Sequence, residues 1–230
     1  MFYHGIRPRE LTLAFHRDPW ADYQCRAEPP DVTACGDPFE LGERYVYLLG
    51  IYLGDGTLSA APRNVWKLRV FQDTRYLEIV AEIEAAIEIV GGRPTGRTGK
   101  EGCFEIYSNW KHWLCRFPQH GPGRKHERPI ALMTWQRQLV DQFPEALLRG
   151  LIQSDGCRAI NRVRRPTLGG VKAYEYPRYF FSNVSSEIRE IFASACARIG
   201  VRCGPANCRN LTVARSHDVA YLDTFIGPKR

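Results

Sequence analysis

Three things are missing from this sequence, and each absence narrows what the chain can be. There is no run of about 18 apolar residues, so no membrane-spanning helix is expected. Residues 1–10 carry charge and a proline where a secretory signal would have an apolar core, so a cytoplasmic protein is expected. No two of the eight cysteines form a CxxC pair, and the closest are Cys203 and Cys208. That spacing argues against a zinc ribbon. A chain of 230 residues with 44% hydrophobic content can bury a core without disulfide staples, so the thiols are expected to be reduced and mostly buried.

What is present begins with charge. The formal balance is +7, from 32 Lys and Arg against 25 Asp and Glu. Such a surface suits a polyanion such as nucleic acid but does not require one.

The chain is also written twice. Leu48-Leu49-Gly50-Ile51-Tyr52-Leu53-Gly54-Asp55-Gly56 returns as Leu148-Arg149-Gly150-Leu151-Ile152-Gln153-Ser154-Asp155-Gly156. After the first copy come a strand-like stretch at 65–71, a polar turn through Thr74, and a helix-like run at 75–90 with Leu77, Ile79, Val80, Ile83 and Ile87 on its apolar side. After the second come 179–182, a turn through Ser185, and a helix-like run at 186–199 carrying Ile188, Ile191, Phe192 and Cys196. Thr74 and Ser185 fall at equivalent places, and both suit an N-cap. Glycines end these helices (Gly91-Gly92, then Gly200) and a second strand pair follows. Short aromatic helices are predicted at 109–117 and 216–225. Both halves close on Gly-Pro and lysine, as Gly121-Pro122-Gly123-Arg124-Lys125 and Gly227-Pro228-Lys229.

The expected fold class is therefore α+β, with two tandem αββαββα half-domains related by a pseudo-two-fold axis. Residues 45–125 form the first and 144–230 the second. Residues 126–143 link them, with 131–140 helical, and residues 1–44 are an extension without a counterpart.

Gly50 with Gly54, and Gly150 with Ser154, recur four residues apart and so share a helix face. Interior helical glycine costs roughly 1 kcal/mol against alanine, which calls for a packing reason. Two motif helices facing each other supply one. Asp55 and Asp155 then lie at the helix C-termini, each followed by a glycine in the C′ position. Alone, an Asp-Gly pair is usually a turn. Two aspartates brought together repel unless protonated or bridged by a cation. Their hard oxygens favour Mg²⁺, which keeps water and accepts phosphate oxygens, an arrangement suited to phosphodiester hydrolysis.

These paired motifs resemble those of the LAGLIDADG homing endonucleases, over residues 45–230. The resemblance implies saddle-shaped antiparallel sheets and a monomer that cuts both strands of double-stranded DNA across the minor groove, leaving short 3′ overhangs. It implies Asp55 and Asp155 as metal ligands, joined by Gly54 and Ser154, with Lys125 and Lys229 as the basic residues near the scissile phosphates. Leu53 and Gln153 stand where the family motif has its first aspartate, which is not the metal ligand. Mg²⁺ is the expected cofactor, with Mn²⁺ substituting and Ca²⁺ binding without cleavage.

The sheets would lie in the major groove with one row of side chains on the DNA, for which Lys67, Arg69, Arg158, Arg162, Arg164, Lys172, Tyr174, Tyr176 and Arg178 are the candidates. Three rivals stay open at this point. One is a DNA-binding regulator that keeps the fold without cleavage, such as the sporulation-control proteins. The others are an RNA maturase and a plain two-domain interaction protein.

Overall fold

A computed structural model describes residues 41–167, 169–227 and 229. All but the last four residues of the 1–44 extension fall outside that range. The chain runs as α1 (Glu43–Gly54), β1 (Gly56–Ala61), β2 (Val65–Asp73), α2 (Leu77–Gly91), β3 (Gly96–Lys100), β4 (Cys103–Trp110) and α3 (Trp113–Arg116). After a 3₁₀ turn at Lys125–Glu127 come α4 (Thr134–Gln142), α5 (Pro144–Asp155), β5 (Gly156–Thr167), β6 (Gly170–Ser182), α6 (Ser186–Arg198), β7 (Cys203–Pro205), β8 (Asn210–Val213) and α7 (Ser216–Asp223). Each half is thus the expected αββαββα unit. Both sheets are antiparallel, ordered β1-β2-β4-β3 and β5-β6-β8-β7.

The repeated helices α1 and α5 are apolar on nearly every side because each is wrapped by its own sheet and by the other helix. Tyr45 to Leu53 are all buried, as are Leu147, Leu148, Leu151 and Ile152. In β2, Trp66, Leu68, Val70 and Gln72 face the core while Lys67, Arg69 and Phe71 face away. The second sheet has unequal arms. β6 pairs with β8 only from Tyr179 to Ser182, so the rest of the β5–β6 hairpin leaves the four-stranded part as a two-stranded ribbon. Its strands have 12 and 13 residues, against six and nine in β1–β2.

Several expected boundaries move, each for a local reason. Ser185 caps α6 and accepts from the Ile188 amide at 3.3 Å. Thr74 does not cap α2, whose N-cap is Tyr76. The Asp73 carboxylate takes the Arg75 amide at 2.8 Å and the Arg75 guanidinium as well, closing a turn that delays the helix to Leu77. Leu77 is consequently 59% exposed rather than on the apolar face. The helix expected at 109–117 shrinks to Trp113–Arg116, because Asn109 and Trp110 remain paired to Lys67 and Trp66 in the sheet. The linker helix falls at Thr134–Gln142, and the last helix stops at Asp223.

Gly92 and Gly200 do take the left-handed cap, with φ of 57° and 72°. Gly56 and Gly156 do not. Each opens a strand, and a Cβ there would lie 2.5 Å from the Tyr52 Cα or 2.7 Å from the Ile152 Cα, so close packing is what requires glycine. The thiols also differ from expectation. Among the described cysteines all are free, but only Cys115 and Cys196 are buried, while Cys157 and Cys208 are exposed. Among the described residues no helix is long and apolar enough to cross a membrane.

Candidate functional site

The two motif helices meet backbone to backbone. A Cβ on Gly50 would sit 2.6 Å from the Leu147 carbonyl oxygen, and one on Gly150 would sit 2.3 Å from that of Tyr47. One turn later a Cβ on Gly54 would strike Ser154 Oγ at 2.2 Å and Asp155 Cγ at 3.2 Å. The Ser154 hydroxyl, within donating distance of the carbonyls of Gly150 (2.9 Å) and Leu151 (3.0 Å) of its own helix, fills the space that Gly54 leaves open.

This crossing delivers Asp55 and Asp155 to one place. Burial raises the Asp55 pKa to about 6, and the charge of Asp155 pushes the same way. Burial also raises Asp155, against a hydrogen bond of 2.6 Å from Asn183 Nδ2 to its carboxylate. Each half then returns its closing lysine to its own motif helix. Lys125 Nζ donates to the carbonyls of Tyr52, Leu53 (3.2 Å) and Gly54 (2.9 Å). Lys229 Nζ donates to those of Gln153 (2.9 Å) and Ser154. A carboxylate at a helix C-terminus opposes the helix dipole, whereas an ammonium there is favourable, so each lysine offsets its aspartate. Burial lowers Lys125 to about 8 and lowers Lys229 as well, with both aspartates pulling the other way. The result is a desolvated cluster of two acids and two bases held by main-chain geometry.

The donor set suits a hard divalent cation, because two carboxylates whose ionisation is suppressed by burial gain from sharing one. Among the described residues no cluster of three His, Cys, Asp or Glu exists, so water and phosphate oxygens would have to complete the coordination. The carbonyls of Gly54 and Ser154, expected to join the metal, each already accept a lysine ammonium. A carbonyl oxygen has two lone pairs, so one remains.

The row of DNA-facing candidates is divided by the structure. Lys67 and Arg69 share the open face of the first sheet. On the second sheet, Lys172, Tyr174, Tyr176 and Arg178 share the open face with their cross-strand partners Arg165, Val163, Asn161 and Ala159. Arg158, Arg162 and Arg164 alternate onto the opposite face, because Arg158 pairs with Tyr179, which points into the core. Arg158 grips Asp223 with two bonds of 2.8 and 2.9 Å, and Tyr179 donates to the same carboxylate at 2.6 Å. Arg162 pairs with Glu175 at 2.8 Å. One residue off in phase, Arg165 is the arginine of β5 that reaches the open face, alongside Arg178 of β6.

Sequence reasoning also missed Gln153, Asn183 and Glu105. Gln153 is fully buried, accepts from the Tyr47 hydroxyl at 2.6 Å and donates to the Ile226 carbonyl at 2.8 Å, so it ties the two halves together. Its only signal was a polar residue where the family motif has an acid. The open faces also carry buried polar atoms that lack a hydrogen-bond partner: Ser59 Oγ, Arg178 Nε, Asn210 Oδ1 and Thr212 Oγ1. Such orphans are rare in a finished surface and point to a polar ligand.

No family model matches the chain, and no curated protein matches it in sequence. Solved structures do. Mesophilic variants of the homing endonuclease I-DmoI superpose with a TM-score of 0.50 at 14% identity, covering 81% of this chain and 96% of that one. The LAGLIDADG meganuclease I-AabMI, bound to uncleaved DNA, gives 0.50 at 8% identity over 79% and 82%. The N-terminal LAGLIDADG domain of WhiA gives 0.50 at 12% identity over 84% and 85%. Two αββαββα halves joined through paired glycine-bearing helices make this a chain of the LAGLIDADG fold, shared with homing endonucleases and with WhiA.

Proposed function

We propose that the chain is a site-specific endonuclease that hydrolyses both strands of double-stranded DNA with divalent metal, Mg²⁺ by preference, across the minor groove. The observation that carries this reading is the paired Asp55 and Asp155, desolvated at abutting helix ends, each with a lysine of its own half. A merely structural interface has no use for two acids whose pKa values burial raises side by side.

In this reading Asp55 and Asp155 hold the cation between them. When bound, it supplies positive charge against the phosphodiester and acidifies water for attack. Lys125 and Lys229 keep their ammoniums at the helix ends, where they stabilise charge developing on a phosphate oxygen. Asn183 fixes one oxygen of Asp155 and leaves the other for the metal. Open-face residues Lys67, Arg69, Arg165, Lys172, Tyr174, Tyr176 and Arg178 contact the duplex.

A second reading, DNA binding without cleavage, draws support from the WhiA domain, which superposes as well as the endonucleases do. The two are separated by selecting bound duplexes from a randomised DNA library, then incubating them with the protein in Mg²⁺ or Mn²⁺. Cleavage that Asp55→Asn and Asp155→Asn each abolish supports the endonuclease. Selected duplexes that stay intact with both metals overturn it in favour of a binder.

A further inference from the structure

The two open faces are built from different chemistry. By register, Gly56 pairs with Val70 and Gly156 with Phe181, so Phe71 and Ser182 are equivalent positions. Opposite Phe71 stands Glu105, and opposite Ser182 stands Asn210. The first sheet thus carries a carboxylate where the second carries a carboxamide with an orphan oxygen.

Glu105 is only 7% exposed and gathers three cations, with Lys100 at 2.6 Å, Lys67 at 3.3 Å and Arg69 at 3.5 Å. These come from β3 and β2, on either side of β4. Rings hold two of the ammoniums as well: Lys67 lies 3.8 Å from the centre of Tyr107 and Lys100 lies 4.9 Å from that of Phe71. The bond from Lys100 keeps the Glu105 carboxyl below its ordinary pKa, so the anion is present at neutral pH.

An anion in the middle of a surface that meets a polyanion opposes binding. Its use must lie in what it does to its neighbours. Three long cationic side chains left free would find phosphates of any sequence. Tethered to one buried carboxylate, they become donors at fixed positions, with their indiscriminate pull on phosphate reduced by one charge.

We infer that Glu105 is a positioning residue for sequence discrimination, holding Lys67, Arg69 and Lys100 as fixed donors to base edges in the half-site under the first sheet. The inference rests on the DNA-binding reading above. It assigns the two half-sites different physics. The first sheet discriminates through a braced cluster whose three positive charges are offset by one carboxylate, while the second, whose open face carries Arg165, Lys172 and Arg178 without an acid among them, supplies the larger share of the phosphate affinity.

The test measures binding of the full chain in EDTA, so that no strand is cut. The duplex is one selected from the random library, compared with versions in which either half is scrambled. Glu105→Gln keeps the shape and removes the charge. It is expected to raise affinity for scrambled DNA and to steepen the slope of log K against log salt by roughly 0.9, the value of one added phosphate contact. Its preference for the intact over the scrambled sequence is expected to fall about tenfold, at one half-site only. Lys100→Met should act oppositely on the slope.

A merely structural Glu105 would shift the unfolding midpoint and leave slope and preference alone. A folded Glu105→Gln protein with both unchanged overturns the inference. Should that variant not fold, an unchanged slope in Lys100→Met overturns it equally. Wild-type protein that selects no duplex at all sinks the DNA-binding reading itself, which is a different failure.

Discussion

Replacing Asp55 with asparagine should make the metal-free protein more stable while removing its proposed activity. The carboxyl titrates at about 6 in the folded chain against an ordinary 3.8. The folded pKa lies above the unfolded one, so the protonated form folds better. That advantage is complete below pH 4 and is lost as pH rises through about 6. The shift of 6 − 3.8, about two units at about 1.4 kcal/mol each, sets a ceiling of about 3 kcal/mol. Partial solvent access at this half-buried group leaves about 2 kcal/mol. Asparagine has nearly the same shape and no charge. Asp55→Asn in EDTA at pH 7.5 is therefore expected to unfold about 4–8 °C above the wild type, for a chain of this length. At pH 3.5 the two should unfold nearly together. Thermal unfolding followed by circular dichroism at both pH values decides the matter. A variant no more stable than wild type at pH 7.5, or one whose full gain persists at pH 3.5, refutes the buried-charge account of this site. Adding Mg²⁺ should narrow the gap at pH 7.5 by stabilising only the wild type.

Further outcomes can be checked alongside. Gly150→Ala puts a Cβ 2.3 Å from a main-chain oxygen, so the helices must part; a loss of about 3 kcal/mol or more is expected in urea unfolding. Cleavage should follow a bell in pH. It should fall below about 6 as protons displace metal from Asp55, and fall above about 8 as Lys125 loses its ammonium. Lys125→Met should remove the alkaline limb and most of the rate together. Tyr47→Phe leaves the Gln153 amide without its 2.6 Å donor, and a double-mutant cycle with Gln153→Leu should show coupling of about 1 kcal/mol. Arg158→Ala should lower stability, since Asp223 loses both bonds, and leave the salt slope of DNA binding unchanged.

How far the sequence could be read depended on how local each determinant was. The αββαββα order, the glycine contacts and the lysines were legible because a nonapeptide and a Gly-Pro-Lys ending recur whole. Strand phase was harder. A ribbon with charge on both faces has no apolar alternation to set its register, so Arg158, Arg162 and Arg164 were placed on the wrong side. Only the pairing of Arg158 with buried Tyr179 settles the phase. Thr74 and Ser185 looked equivalent, yet Asp73 beside Thr74 supplies a stronger local acceptor than a hydroxyl. Asn183 reaches Asp155 from 28 residues away within its own half, and Gln153 meets Tyr47 only once the two halves are docked. Glu105 was invisible for a similar reason: its cations arrive from two other strands.

The contact between Gly50 and Gly150 acts as a ruler. With no side chain between the helices at that point, the separation of the two aspartates' main chains is set by backbone contact and does not depend on how an intervening side chain packs. Everything outside that contact is released from the task of setting the spacing. The sheets can lengthen on one side, trade an acid for an amide, or move an arginine from one face to the other while the two helix ends keep their distance. A measuring device at the centre is what lets the arms of this molecule become unlike each other.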